Sequence, residues 1–255
     1  MADNFKERFS QAVKETETVV YSYLPEETGH QKTIFEAMNY SVKAGGKRLR
    51  PLLMREVYRL FGGNGPEIEP FMAAMEMIHT SSLIHDDLPC MDNDEYRRGK
   101  LTTWKAYGYD MAVLAGDALM IYAFETASKA FSMGADPAKV GRAIGILAEK
   151  TGIYGMIGGQ TVDVELTGKA VPREKLDFIY RLKTGALLEA SMMIGAVLAG
   201  ATVEEIKEVE TMASEVGLAF QIQDDILDVT STQEELGKPV LSDEKNEKTT
   251  YVTLE

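Results

Sequence analysis

Residues Ser82 to Asp94 read SLIHDDLPCMDND. An apolar helical run ends here in adjacent carboxylates, Asp86 and Asp87, and more acid, Asp92 and Asp94, arrives just after Pro89. Asp86 and Asp92 are six positions apart, so an uninterrupted helix would rotate them about 240° away from each other. Pro89 changes this: it lacks an amide donor and pushes Leu88 out of the α region, so the chain can turn Asp92 back toward Asp86 and Asp87.

A second stretch, Phe220 to Asp228 (FQIQDDILD), repeats the same grammar. On a helix Asp224 and Asp228 project from one face, with Asp225 nearby. Three like charges there destabilise the helix unless a cation binds them. Clusters made of oxygen donors, with no cysteine, suit hard cations and Mg²⁺ above all, which binds through one or two carboxylates plus substrate phosphates. Two such clusters facing one cavity can hold a diphosphate by its metals. A single DD pair is as readily an ordinary exposed helix end. Two copies with matched apolar lead-ins favour the metal.

Away from these motifs the chain reads as helix punctuated by glycine and proline, with no run of alternating apolar and polar residues, which predicts an all-α architecture. Ile34, Met38 and Val42 recur at four-residue spacing before Gly45-Gly46, and Pro51 suits the first turn of a helix ending near Gly62-Gly63. The next helix is predicted from about Glu67 to Asp87. Met111 to Phe131 and Leu187 to Gly200 are apolar on most faces, as helices buried within a bundle are. No linker, low-complexity tract or solenoid repeat divides the 255 residues, so a single domain, 1–255, is expected. Thr249 to Glu255 begins another helix without a glycine or asparagine cap, so the natural C-terminal helices are expected to be missing.

The composition is 45% hydrophobic, enough for a sizeable core. A net charge of −13 argues against nucleic acid as a partner, since neutralising a phosphate backbone needs a basic face. No membrane span is predicted, because no uncharged apolar run reaches the roughly 20 residues required. The charged N-terminus MADNFKERFS lacks the pattern of a signal peptide, and the lone Cys90 excludes an internal disulfide framework. A cytoplasmic chain is expected. A small anionic substrate would need local cations, and three basic segments offer them. Lys47, Arg48 and Arg50 follow the glycine pair; Arg97, Arg98 and Lys100 follow the first acidic motif; Lys183 precedes Thr184-Gly185. Each alone is more often a solvated loop.

Together these segments resemble the trans-isoprenyl diphosphate synthases, a polyprenyl synthetase family, in their bacterial short-chain farnesyl and geranylgeranyl group. The similarity runs through GGKRLRP, HDDLPCMD with RRGK, GGQTVD (Gly158 to Asp163), KTG, FQIQDD with Asp228, and the later GKP and K-T-T-Y segments. It implies a single-domain helical bundle of the isoprenoid synthase type around a deep central cavity, working as a homodimer. The implied activity is a Mg²⁺-dependent prenyltransferase that joins dimethylallyl, geranyl or farnesyl diphosphate to isopentenyl diphosphate. Farnesyl or geranylgeranyl diphosphate would result. Three Mg²⁺ ions would be held by Asp86, Asp92 and Asp224, with Asp87, Asp225 and Asp228 completing the catalytic motifs. Lys47, Arg50, His79 and Arg98 would hold isopentenyl diphosphate. Arg97, Lys183, Thr184, Gln221, Lys238 and Lys248 would serve the allylic diphosphate.

Three positions depart from the family's pattern. Ser81 stands where many farnesyl synthases carry an aromatic residue five positions before the first aspartate, so it is expected to enlarge the pocket for the growing chain. Leu241 replaces a common glycine, and Trp104 a common histidine. Rival readings are weaker. Glu76-Met77-Ile78-His79 and Glu27-Thr28-Gly29-His30 both spell the ExxH of di-iron bundles, but Pro25 and Gly29 put the second copy in a turn and both aspartate motifs go unused. A terpene cyclase does not need the Lys47, Arg50 and Arg98 set. A regulatory subunit of a heteromeric synthase that has lost turnover would not need both motifs intact.

Overall fold

The computed structural model describes residues 2–169, 171–230 and 250–251. Helices α1 (Ala2–Ser22), α2 (Lys32–Val42), α3 (Leu49–Leu60) and α4 (Glu69–Asp86) lead into a hairpin of β1 (Tyr96–Arg97) and β2 (Lys100–Leu101). Then follow α5 (Thr103–Tyr107), α6 (Tyr109–Ser128), α7 (Pro137–Thr151), α8 (Met156–Leu166), α9 (Arg173–Ile179), α10 (Ala186–Ala199) and α11 (Val203–Thr230). The fold is all-α, as expected, with the hairpin added. Strands of two residues are too short to show a period.

Local chemistry fixes several helix starts. Asp136 caps α7, its carboxylate accepting from the Ala138 amide at 2.9 Å, with Pro137 in the first turn. At α11, Thr202 and Glu205 form a reciprocal capping box: the Thr202 amide donates to Glu205 at 2.7 Å, and the Glu205 amide to Thr202 Oγ1 at 3.2 Å.

The core gathers around α4, α6 and α10, with Phe71, Met72, Met75, Leu119, Leu187 and Ile194 all buried. Helix α10 is buried on every face from Ala186 to Leu198, enclosed by α3, α7 and α11. Helix α6 departs from the expected full burial. Its inner side packs on α4, α2 and α5, while Leu114 and Ile121 on the other side are 54% and 71% exposed. Tyr109–Met133 and Arg173–Ala199 are long and apolar enough to cross a membrane by length and composition, but 83% of the apolar window of the latter is buried, as in a core helix. Between α9 and α10, Tyr180–Gly185 winds as a π turn, a feature frequent at functional sites.

Candidate active site

A cavity of about 1530 Å³ opens among α3, α4, α6, α8, the π turn and α11. Asp86, the last residue of α4, lines one wall, and Asp224 of α11 lines another. Below them the wall is apolar, with Leu83, Val113, Met120, Met156, Leu187 and Phe220. Some of the methionines that resemble core filler therefore face this cavity.

The proline-induced turn is present in the backbone. Leu88 to Met91 closes a tight turn, and the Asp92 amide donates to the Asp86 carbonyl at 2.9 Å. Asp92 itself is not among the described residues lining the wall. Among the described residues, no three acidic, cysteine or histidine groups gather closely enough to hold an ion. The expected Asp86–Asp92–Asp224 set is thus not drawn to one point. Three carboxylates repel one another, and a Mg²⁺ site of this kind is completed by phosphate oxygens and water. Oxygen donors on two walls of a cavity wide enough for a diphosphate fit such ions.

The second aspartate of each pair points elsewhere. Asp87 is 3% exposed and takes Arg97 in a forked bond at 2.6 to 3.0 Å. Burial pushes the Asp87 carboxyl up to about 6 against the pull of Arg97. Neither residue is among those lining the main cavity, and Asp87 lies about 100° around the helix from Asp86. Asp225 is likewise buried. It accepts from Tyr180 Oη at 2.8 Å, Gln221 Nε2 at 3.0 Å and the Tyr251 amide at 3.1 Å, so it organises the wall from behind. Gln221 in turn accepts from Thr184 Oγ1 at 2.9 Å, and both face the cavity with Lys183.

Lys47, Arg50, His79 and Arg98 also line this cavity. Arg98 and Gly99, both at positive φ, form the tip of the hairpin, a geometry matched to strand twist. The tip lays the Arg98 guanidinium over Gly46, where any Cβ would meet its atoms at 2.7 Å, and Arg98 Nη1 donates to the Gly45 carbonyl. The glycine pair is therefore a seat for Arg98. Arg50 Nη1 stands 3.4 Å from His79 Nε2, and Arg50 Nε is buried with no partner among the described residues. Burial pulls Arg50 down to about 10 and also lowers Arg98. A cationic cluster with an orphaned donor calls for an anion.

Burial, then Arg50 and Arg98, hold His79 well below its ordinary value, so it is neutral at neutral pH. An unfolded histidine takes up a proton below a pH of about 6.5, while folded His79 does not. Stability is therefore kept above that pH and lost as pH falls through it. In His79→Gln this part of the loss disappears, which urea unfolding between pH 7 and 5 will register.

The polyprenyl synthetase family model matches residues 31–255. This chain belongs to the polyprenyl synthetase family. It is 44% identical to a farnesyl diphosphate synthase of Geobacillus stearothermophilus over all of the chain and 86% of that relative. It is 50% identical to a chloroplastic geranylgeranyl pyrophosphate synthase of Capsicum annuum over 87% of the chain, and spans about 60% of that relative's length. A solved geranyltransferase from Helicobacter pylori, complexed with magnesium and isoprenyl diphosphate, is 32% identical with a TM-score of 0.83, covering 97% of this chain and 82% of that one. An FPP/GFPP synthase from Zymomonas mobilis has the same TM-score at 37% identity over 94% and 84%.

In this polyprenyl synthetase, the position of Ser81 relative to the cavity also bears on the site. Ser81 is fully buried, its hydroxyl donating to the Ile78 carbonyl at 2.8 Å, and it is not on the described cavity wall. Ser82 is on that wall. It sits four residues before Asp86, about 40° around the helix, whereas Ser81 lies about 140° away. Lys238, Leu241 and Lys248 lie outside the described residues, as does the side chain of Asp228.

Several site residues carried no role in the sequence. Gln160 of α8 lines the cavity and donates through Nε2 to Asp86 Oδ1 at 2.7 Å, while its own Oε1 is buried without a partner among the described residues. One turn on, Asp163 accepts from Lys183 at 2.6 Å. Their three-residue spacing within GGQTVD was the available signal. Gly159 lets α8 reach the π turn: a Cβ there would sit 2.3 Å from the Lys183 amide nitrogen. Gly159→Ala is expected to cost about 2–3 kcal/mol of stability by overpacking, measured by denaturant unfolding. Trp104 also finds a role, since its Nε1 donates to the Asp94 carbonyl at 2.8 Å and ties the acidic loop to α5.

Proposed function

We propose that this chain is a Mg²⁺-dependent short-chain prenyltransferase that condenses an allylic diphosphate with isopentenyl diphosphate head-to-tail. The observation that carries it is the pairing, in one cavity, of Asp86 and Asp224 with a separate cationic cluster at Lys47, Arg50, His79 and Arg98. One diphosphate needs metal-binding carboxylates; a second needs its own cations. Lys47, Arg50 and Arg98 hold isopentenyl diphosphate, filling the orphaned Arg50 donor, with neutral His79 beside them.

Asp86, Asp92 and Asp224 would hold Mg²⁺, expected as three ions, which would supply Lewis-acid stabilisation of the departing diphosphate. Lys183 adds positive charge on the same side. Thr184 and Gln221, held in orientation by each other and by Asp225, would turn their oxygens toward the reacting carbon. Loss of allylic diphosphate leaves a carbocation, the isopentenyl double bond attacks it, and a proton passes to the released diphosphate. The apolar wall keeps water from the cation and houses the tail.

Farnesyl or geranylgeranyl diphosphate is the product under this reading. Ser82, on the wall one turn beneath Asp86, bears on its length. Ser82→Phe is expected to shorten the main product by at least five carbons, read by chromatography of dephosphorylated products. The chain acts as a homodimer, its exposed Leu114 and Ile121 face covered by a second copy, which light scattering of the purified protein tests. A cytoplasmic location belongs to the same proposal and is tested by fractionation.

The deciding experiment incubates the protein with dimethylallyl, geranyl or farnesyl diphosphate, isopentenyl diphosphate and Mg²⁺. Chain-elongated products abolished by chelation are expected. No product from any primer would leave the inactive regulatory subunit as the better reading, although the intact acidic and basic sets speak against it.

A further inference from the structure

We infer that Arg48 is a positioning residue for the isopentenyl diphosphate subsite, and that α1 takes part in binding that substrate through it. Arg48 lies between Lys47 and Arg50, yet its side chain is fully buried. Its Nη1 donates to Glu76 of α4 at 2.6 Å, its Nη2 to the Val42 carbonyl at 2.7 Å and to Tyr21 Oη at 3.1 Å, and its Nε to Glu17 at 3.2 Å. With its donors spent on α1, α4 and the end of α2, the guanidinium is not available to a diphosphate. Its backbone is also unusual, with φ at +48°, a left-handed conformation that a non-glycine residue keeps only where its surroundings enforce it.

These facts have one joint consequence. The backbone at Arg48 sets the directions in which Lys47 and Arg50 leave the loop, and the buried guanidinium locks that backbone. Two of the four partners, Glu17 and Tyr21, belong to α1, which precedes the residues matched by the family model. Lys183 and Thr184, assigned to the allylic diphosphate, sit on the π turn and bond instead to Asp163 and Gln221. Loosening Arg48 should therefore harm one substrate and spare the other.

This rests on the prenyltransferase reading, and its test separates the two. Steady-state kinetics with geranyl and isopentenyl diphosphates are run on the full chain and on Glu17→Gln, Tyr21→Phe and the double variant. These changes sit at the partly exposed end of the network and keep the Arg48–Glu76 pair. The double variant is expected to raise KM for isopentenyl diphosphate roughly tenfold, as misplacement of binding groups does. Its KM for geranyl diphosphate and its kcat should stay within about twofold. Glu15→Gln breaks a different α1 contact, to Arg55 at 3.5 Å, and should leave both KM values unchanged. An equal rise in both KM values, or no rise in either, would overturn the inference. A wild-type chain without condensation activity would overturn the prenyltransferase reading, and this inference with it.

Discussion

Asp86→Asn is expected to lower kcat for condensation about a thousandfold, or about 4 kcal/mol of barrier. The substitution keeps the shape of the side chain and an oxygen for Gln160 Nε2, so the helix end should survive. What disappears is the negative charge on the cavity wall. Without it fewer cations gather on the allylic diphosphate, and the charge developing on the leaving group is less well stabilised. The Mg²⁺ concentration for half-maximal rate should rise with the loss of kcat. Asp87→Asn is the natural comparison, because Asp87 spends its charge on Arg97 away from the cavity. It should lower stability while leaving the Mg²⁺ requirement near that of the parent. Similar Mg²⁺ curves for the two variants, or less than a tenfold loss from Asp86→Asn, would remove Asp86 from the metal site.

Glu76→Leu carries the largest expected loss of stability, about 3–5 kcal/mol, because it leaves a buried guanidinium without its closest counter-charge. Glu76 is 2% exposed and lies 2.6 Å from Arg48. Glu17 is the other acid within reach, at 3.2 Å and partly solvated, so it screens only part of the abandoned charge. Guanidinium unfolding of parent and variant measures the difference. A loss below about 1 kcal/mol would mean that Arg48 finds water when Glu76 is gone.

How far the sequence could be read follows from which forces are local. Pro89 acts on its own neighbours, so the turn that returns Asp92 to the Asp86 carbonyl was legible. The all-round apolar character of α10 likewise announced its burial. Asp87 and Asp225 were not legible, because adjacent aspartates look alike until Arg97 and Tyr180 arrive from elsewhere in the chain to claim the second of each pair. The same holds for Arg48, which is indistinguishable in sequence from the cations on either side of it. Ser81 is a different case, being buried rather than on the cavity wall. Helical spacing gives the angle between two side chains but not which of them faces the cavity, and the smaller angle to Asp86 belonged to Ser82. Exposure of Leu114 and Ile121 depends on what covers α6, which no periodicity contains.

The π turn has an effect on rotational phase. Each residue of an α-helix advances the direction of its side chain by about 100°, and a wider turn delays that advance. Tyr180, Lys183 and Thr184 thereby reach Asp225, Asp163 and Gln221, serving both α11 and α8 from a single turn. Deleting one residue from Tyr180–Gly185 would leave a regular and continuous helix, yet it would swing all of α9 around its axis relative to α10. The irregularity is what keeps two otherwise unremarkable helical segments in step with three partners at once.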